Sequence, residues 1–354
     1  MSKNPENERV KLAYFDFLKH ADGKSEQTIR QVERAISRLE NFTAQADFRT
    51  FDQRQAMAFK ASIRAEGLAL ATVNSTLNAV QRFLGWLAMQ AGYKRAINLS
   101  DIEYLNLSEK DVRASRSPSD KQYSTFQMVE RAVSLMPSET AIEKRDRAMI
   151  VFTAITGTRD GTIPTLKLKH FDPVQKLVRQ DPREARTKFS KRIDTFLFPL
   201  SAAFEQIFLD WVDYLRDVAL FGAGDPLFPK TRLTQDANNC FVADGLSRDC
   251  WANAAPIRKV FKTAFRNVDL PEFTPHRFRD MIVSEMYRRG LSVAEFKAWS
   301  QNLGHEGAMT TLTSYGKLSI QEQGRLVREG VGVGGNGKID IAELADMIEK
   351  HRSG

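Results

Sequence analysis

The sequence predicts a mainly α-helical protein in two domains, the first all-helical and the second mixing helices with a small β-hairpin or sheet. Three observations carry that expectation. The chain has 354 residues, more than one average domain holds. Apolar residues recur at helical spacing through the first hundred positions. Strand-like runs are confined to a short stretch between residues 176 and 198. Apolar residues make up 42% of the chain and include 23 Phe, enough to build a core and contrary to disorder.

Taken in order, Val32, Ile36, Leu39 and Phe42 predict one helix between Ser25 and Ala46. Phe51 to Glu66 predicts another, ended by Gly67. The next begins near Thr72 as N-cap, with Val73, Leu77, Val80, Leu84 and Leu87 on one face and Asn74, Asn78, Gln81 and Arg82 on the other. Residues 8 to 108 thus read as a helical domain. The stretch NLSEKDVRASRSPSDKQ has charges, serines and Pro118 but no apolar period, and residues 109 to 122 read as a linker. Beyond it, 123 to 330 read as a second domain and 331 to 354 as a tail. Ala141 to Ile155 is helical up to Thr156-Gly157, and a further helix is expected after that turn through Leu168. Lys176 to Arg179 and Asp194 to Phe198 read as strands bridged by the basic segment ARTKFSKR. Phe204 to Leu215 is an amphipathic helix, Phe221 to Asp249 a long loop, and the remainder to Tyr315 helical.

Composition excludes several classes. Two cysteines, Cys240 and Cys250, cannot make a disulfide scaffold, have no zinc-ligand spacing and fit a reduced intracellular compartment. The start MSKNPENERV lacks a signal peptide's apolar core, and no stretch reaches the roughly 18 apolar residues of a membrane span, so a cytoplasmic protein without a membrane partner is expected. Five histidines leave little for a metal site, and none is expected. A net charge of +8 makes a polyanionic partner plausible, nucleic acid ahead of a membrane surface.

Three motifs carry chemistry. Thr274-Pro275-His276 starts a helix, with His276 and Arg279 sharing a face where unpaired N–H groups favour an anion. Thr156-Gly157-Thr158-Arg159 presents an arginine whose fork can hold two phosphate oxygens. Leu303-Gly304-His305 leaves a histidine at a turn, ten residues before Tyr315, and a tyrosine becomes a nucleophile when neighbours accept its proton. Alone, each reads more readily as a surface pair, a helix cap or a packing aromatic.

Their order, in TGTRDGTIPTLKLKHFD, then TPHRFRD, then LGHEGAMTTLTSYGK, closely resembles the tyrosine recombinase (phage integrase) family. ATVNSTLNAVQRFLGWLAMQAGY is similar to the last helices of that family's core-binding domain, so the resemblance spans most of residues 8 to 318. It implies a two-domain C-clamp around DNA and a 3′-phosphotyrosyl intermediate formed by Tyr315. Arg159 and Arg279 would clamp the phosphate, His305 would hydrogen-bond it, His276 would be the general base, and Lys188 the general acid with Lys191 as rival. Since the phosphotyrosine conserves the bond energy, no cofactor, ATP or metal is implied. DNA contacts are expected from Asn74, Asn78, Gln81, Arg82, Arg186, Lys191, Arg192 and Arg277. The partner implied is double-stranded DNA, two duplexes held by a homotetramer, with residues Ile339 to His351 as an exchanged tail helix. The short segment before the first helix implies a Xer-like or mobile-element integrase without an arm-binding domain. A type IB topoisomerase-like relaxing enzyme, or an inactive DNA-binding accessory of the same fold, are the alternatives. Where the family usually has an acid three residues after the first arginine, this chain has Thr162. The interval from His305 to Tyr315 is one residue longer than the commonest spacing, and the hairpin segment is long.

Overall fold

The structure is a computed structural model and describes residues 3–116, 124–187 and 191–305, together with Thr311 and Gly324. The expectations for Lys188, for Tyr315 and for the tail at residues 331 to 354 concern positions outside the described residues. The chain divides into two compact units, Met1–Lys121 and Gln122–Gly354.

The first unit is helical: α1 Pro5–His20, α2 Glu26–Phe42, α3 Gln53–Ala65, α4 Leu70–Leu87, α5 Leu99–Glu103 and α6 Glu109–Arg116. Capping is local and legible: Asn4, Ser25 and Asp52 each accept backbone N–H bonds at a helix start. The expected face of α4 is buried, and Thr76 and Phe83 join it. Thr72 is not its cap; the helix starts at Leu70, with Ala69 at the N-cap and no side-chain bond there. Phe42 is exposed and leaves the core of α2 to Ile29, Ala35, Ile36 and Leu39. Tyr14, Phe48 and Phe83 form an aromatic cluster with ring centroids 5.0 to 5.2 Å apart. The segment read as linker contains a helix, α6. Its charges help to fix it: Arg64 pairs with Asp111 at 2.8 Å, and Ser108 Oγ bonds the same carboxylate at 2.9 Å.

The second unit begins with α7 Phe126–Ser134 and α8 Ala141–Thr156, a helix buried almost all round from Ala148 to its end. The helix expected after it is not formed. Two short 3₁₀ turns, Ile163–Thr165 and Leu168–His170, stand there instead. Pro164 interrupts the pattern, and Leu166 and Leu168 exchange main-chain bonds with Leu227 and Asp225 (2.9 and 3.0 Å) in place of helical ones. A three-stranded antiparallel sheet follows, β1 Phe171–Asp172, β2 Leu177–Gln180 and β3 Ile193–Phe196, in the order β1-β2-β3 with Val178 opposite Thr195. α9 Ala202–Asp213 runs into a π-helical turn, Tyr214–Val218. The long loop expected over 221 to 249 holds a hairpin, β4 Thr231–Gln235 and β5 Phe241–Leu246, closed by Asp236, whose carboxylate accepts the N–H groups of Asn238 and Cys240. α10 Ala255–Arg266, α11 Pro275–Arg288 and α12 Val293–Asn302 complete the described elements. Phe152, Phe208 and Phe228 centre the core.

Candidate active site

The site is built where α8 ends, α11 begins and α12 stops. Gly157 closes α8 in the left-handed region (φ 61°), its N–H donating to Thr153 O at 2.9 Å. A Cβ there would lie 2.6 Å from Leu303 Cδ2 and 3.0 Å from Ile282 Cδ1, so conformation and space both demand glycine. Thr156 and Thr158, both buried, link hydroxyls at 2.9 Å and set the path into Arg159, which is partly exposed.

Arg279 is 2% exposed, near the start of α11. Its Nη1 donates to Gly157 O and its Nη2 to Leu303 O, both at 2.6 Å, and Nη2 lies 2.7 Å from His305 Nε2. A guanidinium only donates, so Nε2 accepts, and the neutral ring's proton belongs on Nδ1. Nδ1 lies 2.6 Å from Thr311 Oγ1, which lies 2.7 Å from Ser300 Oγ. Gly304 makes the turn that delivers His305: its φ is 70°, and a Cβ would meet Ile193 of β3 at 2.9 Å. Ser292 caps α12 through a capping box with Glu295.

Thr274 stands at the N-cap of α11 with Pro275 after it, although its side chain makes no capping bond. His276 follows. Partial burial of its ring holds the imidazole below its ordinary pKa near 6.5; Arg279 and Arg277 push the same way, against Asp280 and Asp160. Asp160, next to Arg159 in the chain, pairs with Arg258 at 2.6 Å.

The structure therefore brings Arg279, His305 and the Gly157 turn together, with His276 on the adjoining turn of α11. The other basic candidates are tied locally: Arg277 with Asp280 at 3.3 Å, Arg192 with Asp194 at 3.2 Å, and Arg186 Nη1 with Ala252 O at 3.3 Å. Lys191 is partly exposed. In the first unit Asn78 and Arg82 line an open groove that also takes Arg34, Arg38 and Trp86. Arg34 and Arg38 lie on α2, where only the apolar face marks itself in the sequence. Asn74 lies 3.4 Å from Asn78, and Gln81 turns to Asn106 at 2.8 Å. Thr311, fully buried against His305, was also missed; nothing local distinguishes it within GAMTTLTSYGK. Among the described residues no group of three or more His, Cys, Asp or Glu could hold a metal ion, and no helix is long and apolar enough to cross a membrane.

A two-domain chain with a buried Arg–His pair at the junction of three helix ends fits the DNA strand-transferring enzymes that work through a tyrosine. The profile of the phage integrase family matches residues 123–322, and that of the phage integrase N-terminal SAM-like domain matches residues 12–91. The chain belongs to the phage integrase family and is a tyrosine recombinase, an enzyme of site-specific DNA recombination. Its fold is similar to that of a lambda integrase (75-356) dimer bound to a COC′ core site, at 14% identity and TM-score 0.60 over 88% of this chain and 99% of that one. It is also similar to the Tn1549 transposon integrase in complex with circular intermediate DNA, at 15% identity and TM-score 0.55 over 90% and 99%. No curated protein matches the chain significantly.

Proposed function

We propose that this protein cleaves and rejoins double-stranded DNA through a 3′-phosphotyrosyl bond made by Tyr315. The observation that carries the reading is the convergence of Arg279 and His305 on the Gly157 turn that leads into Arg159. In the proposed step the Tyr315 oxygen bonds to the scissile phosphorus and its proton passes to His276. The bond to the 5′-oxygen breaks, and that oxygen takes a proton from Lys188, leaving a free 5′-hydroxyl. Arg159 and Arg279 hold the non-bridging oxygens as charge develops. His305, whose Nε2 accepts from Arg279 in this arrangement, would donate to the same phosphate in its other tautomer, with the Nε2–H turned from Arg279 to the DNA and Nδ1 accepting from Thr311. The depressed pKa of His276 supports its role, because only the neutral ring can accept a proton. No cofactor enters this scheme. Two duplexes would be engaged by four protomers, with the tail helix around Ile339 to His351 docking between neighbours, and the two units would close around DNA as a clamp.

Contacts from Asn78, Arg82, Arg34 and Arg38 would go to phosphates and so weaken steeply with salt. The test uses nicked suicide duplexes carrying the site found by sequencing covalently trapped DNA ends. Wild-type protein should form a denaturant-resistant adduct that Tyr315→Phe abolishes; an adduct that survives in Tyr315→Phe refutes the assignment. Exchange between two labelled duplexes then separates recombination from relaxation by a topoisomerase-like enzyme.

A further inference from the structure

We infer that Thr162 is a positioning residue for protonation of the leaving oxygen, acting by fixing the backbone at the start of the basic segment. The inference rests on the reading above. Thr162 is 3% exposed, and its hydroxyl donates to Arg186 O at 2.7 Å. The N–H of Arg186 donates in turn to Thr165 Oγ1 at 2.9 Å, and that hydroxyl donates to Thr162 O at 2.8 Å. Both main-chain polar groups of Arg186 are therefore held by threonines of one short turn. That turn begins at Arg159, whose carbonyl accepts the Thr162 N–H at 2.9 Å. Ala185, buried beside it, is fixed from the other side by its N–H bond to Asp181 O at 2.8 Å.

The acid that the family usually has at this position could not do this. An ionised carboxylate only accepts, and the group facing Thr162 is itself an acceptor. A donor is required, and the Thr162 hydroxyl supplies one. Arg186 stands two residues before Lys188 and five before Lys191, the two candidates for the general acid. Proton transfer demands hydrogen-bond geometry between donor and leaving oxygen, so a loop that loses its tether loses rate before it loses DNA affinity.

The leaving atom makes the role measurable. With a 5′-bridging sulfur in place of the oxygen, the P–S bond breaks to release a thiolate, which at a thiol pKa of about 8.5 departs without a proton donor. Thr162→Val removes only the hydroxyl; Thr162→Ser keeps it. Single-turnover adduct formation by Thr162→Val should be about 10- to 100-fold slower than wild type on the oxygen substrate, a part of the 10²–10⁴ that general acids contribute. On the sulfur substrate the same variant should stay within about threefold of wild type, and Thr162→Ser should stay within about threefold on both. Equal slowing on the two substrates, or none on the oxygen one, overturns the inference. Should Thr162→Val not fold, Thr165→Val removes the acceptor for Arg186 N–H and decides by the same ratio. If wild-type protein forms no adduct with either substrate, the phosphotyrosyl reading itself falls; a wild-type adduct with a flat oxygen-to-sulfur ratio in the variants removes only the role of Thr162.

Discussion

Gly157→Ala offers a severe test of how the Arg159 turn is built. Two costs add. An L-residue at φ 61° pays about 1–2 kcal/mol for the left-handed conformation. The new methyl would also sit 2.6 Å from Leu303 Cδ2, in a core where Leu303 is 1% exposed, and such overpacking costs about 1–3 kcal/mol. The sum is about 2–5 kcal/mol, or a fall of roughly 4–20 °C in melting temperature for a unit of this size. Leu303→Ala alone should cost about 2–5 kcal/mol as a buried truncation. The double variant separates the causes. With Cδ2 gone the methyl has room, so the pair should be less destabilised than the sum of the singles by about 1–3 kcal/mol. Urea unfolding of the full chain by tryptophan fluorescence reads this, since Trp211, Trp251 and Trp299 lie in the second unit. Strict additivity would refute the steric half of the reasoning, and a Gly157→Ala cost under about 1 kcal/mol would refute both halves.

Other predictions follow from the same geometry. Thr162→Asp, which installs the family's usual acid, should lower stability by about 1–3 kcal/mol and slow cleavage, because a carboxylate would face Arg186 O; faster cleavage would contradict the tether. The pKa of His276 is depressed, so the neutral ring persists to lower pH than usual: adduct formation should be level above about pH 6.5 and fall only below it, with an inflection above that value counting against its assignment as base. The linked stability has the same sign, fully present above the unfolded-state value near 6.5 and lost as pH falls through the folded one, and comparing wild type with His276→Asn in urea at two pH values checks it. In the first unit Lys11 and Glu40 are both buried and 2.7 Å apart; Lys11→Met should cost about 3–5 kcal/mol and Lys11→Met with Glu40→Leu should recover most of it, measured by the same unfolding assay.

What could be read from the sequence was what local chemistry decides. The end of α8 at Gly157 and the Gly304 turn follow from left-handed glycine, and each stands where expected. Two of the failures share a cause, partners far away in sequence. α6 carries no apolar period, yet Arg64, 47 residues earlier, pairs with its Asp111. The run after Gly157 looked helical until Leu166 and Leu168 found main-chain partners near residue 226. β4 and β5 were hidden because their residues are mostly exposed, so no alternation of apolar and polar marks them, and the Asp236 turn between them reads as loop composition. Within the site, the order of Arg159, His276, Arg279 and His305 was visible. The partners that orient them, Thr311 for His305 and the two carbonyls for Arg279, become visible only in the folded chain.

Those two carbonyls explain why position 279 needs arginine in particular. Gly157 and Leu303 are the C-cap residues of α8 and α12, where the last carbonyls of a helix lack intrahelical donors and the helix dipole places partial negative charge. A single guanidinium reaches both, one from each terminal nitrogen, and still meets His305 Nε2. The rigid fork thus takes its orientation from main chain, which cannot change rotamer, on three helices packed in one core. A lysine ammonium offers three donors from one atom on a flexible stem and could not span the two carbonyls in that fixed plane. In this fold the side chain at position 279 closes two helix ends and meets His305 at once, and a forked, planar, permanently charged group can do both.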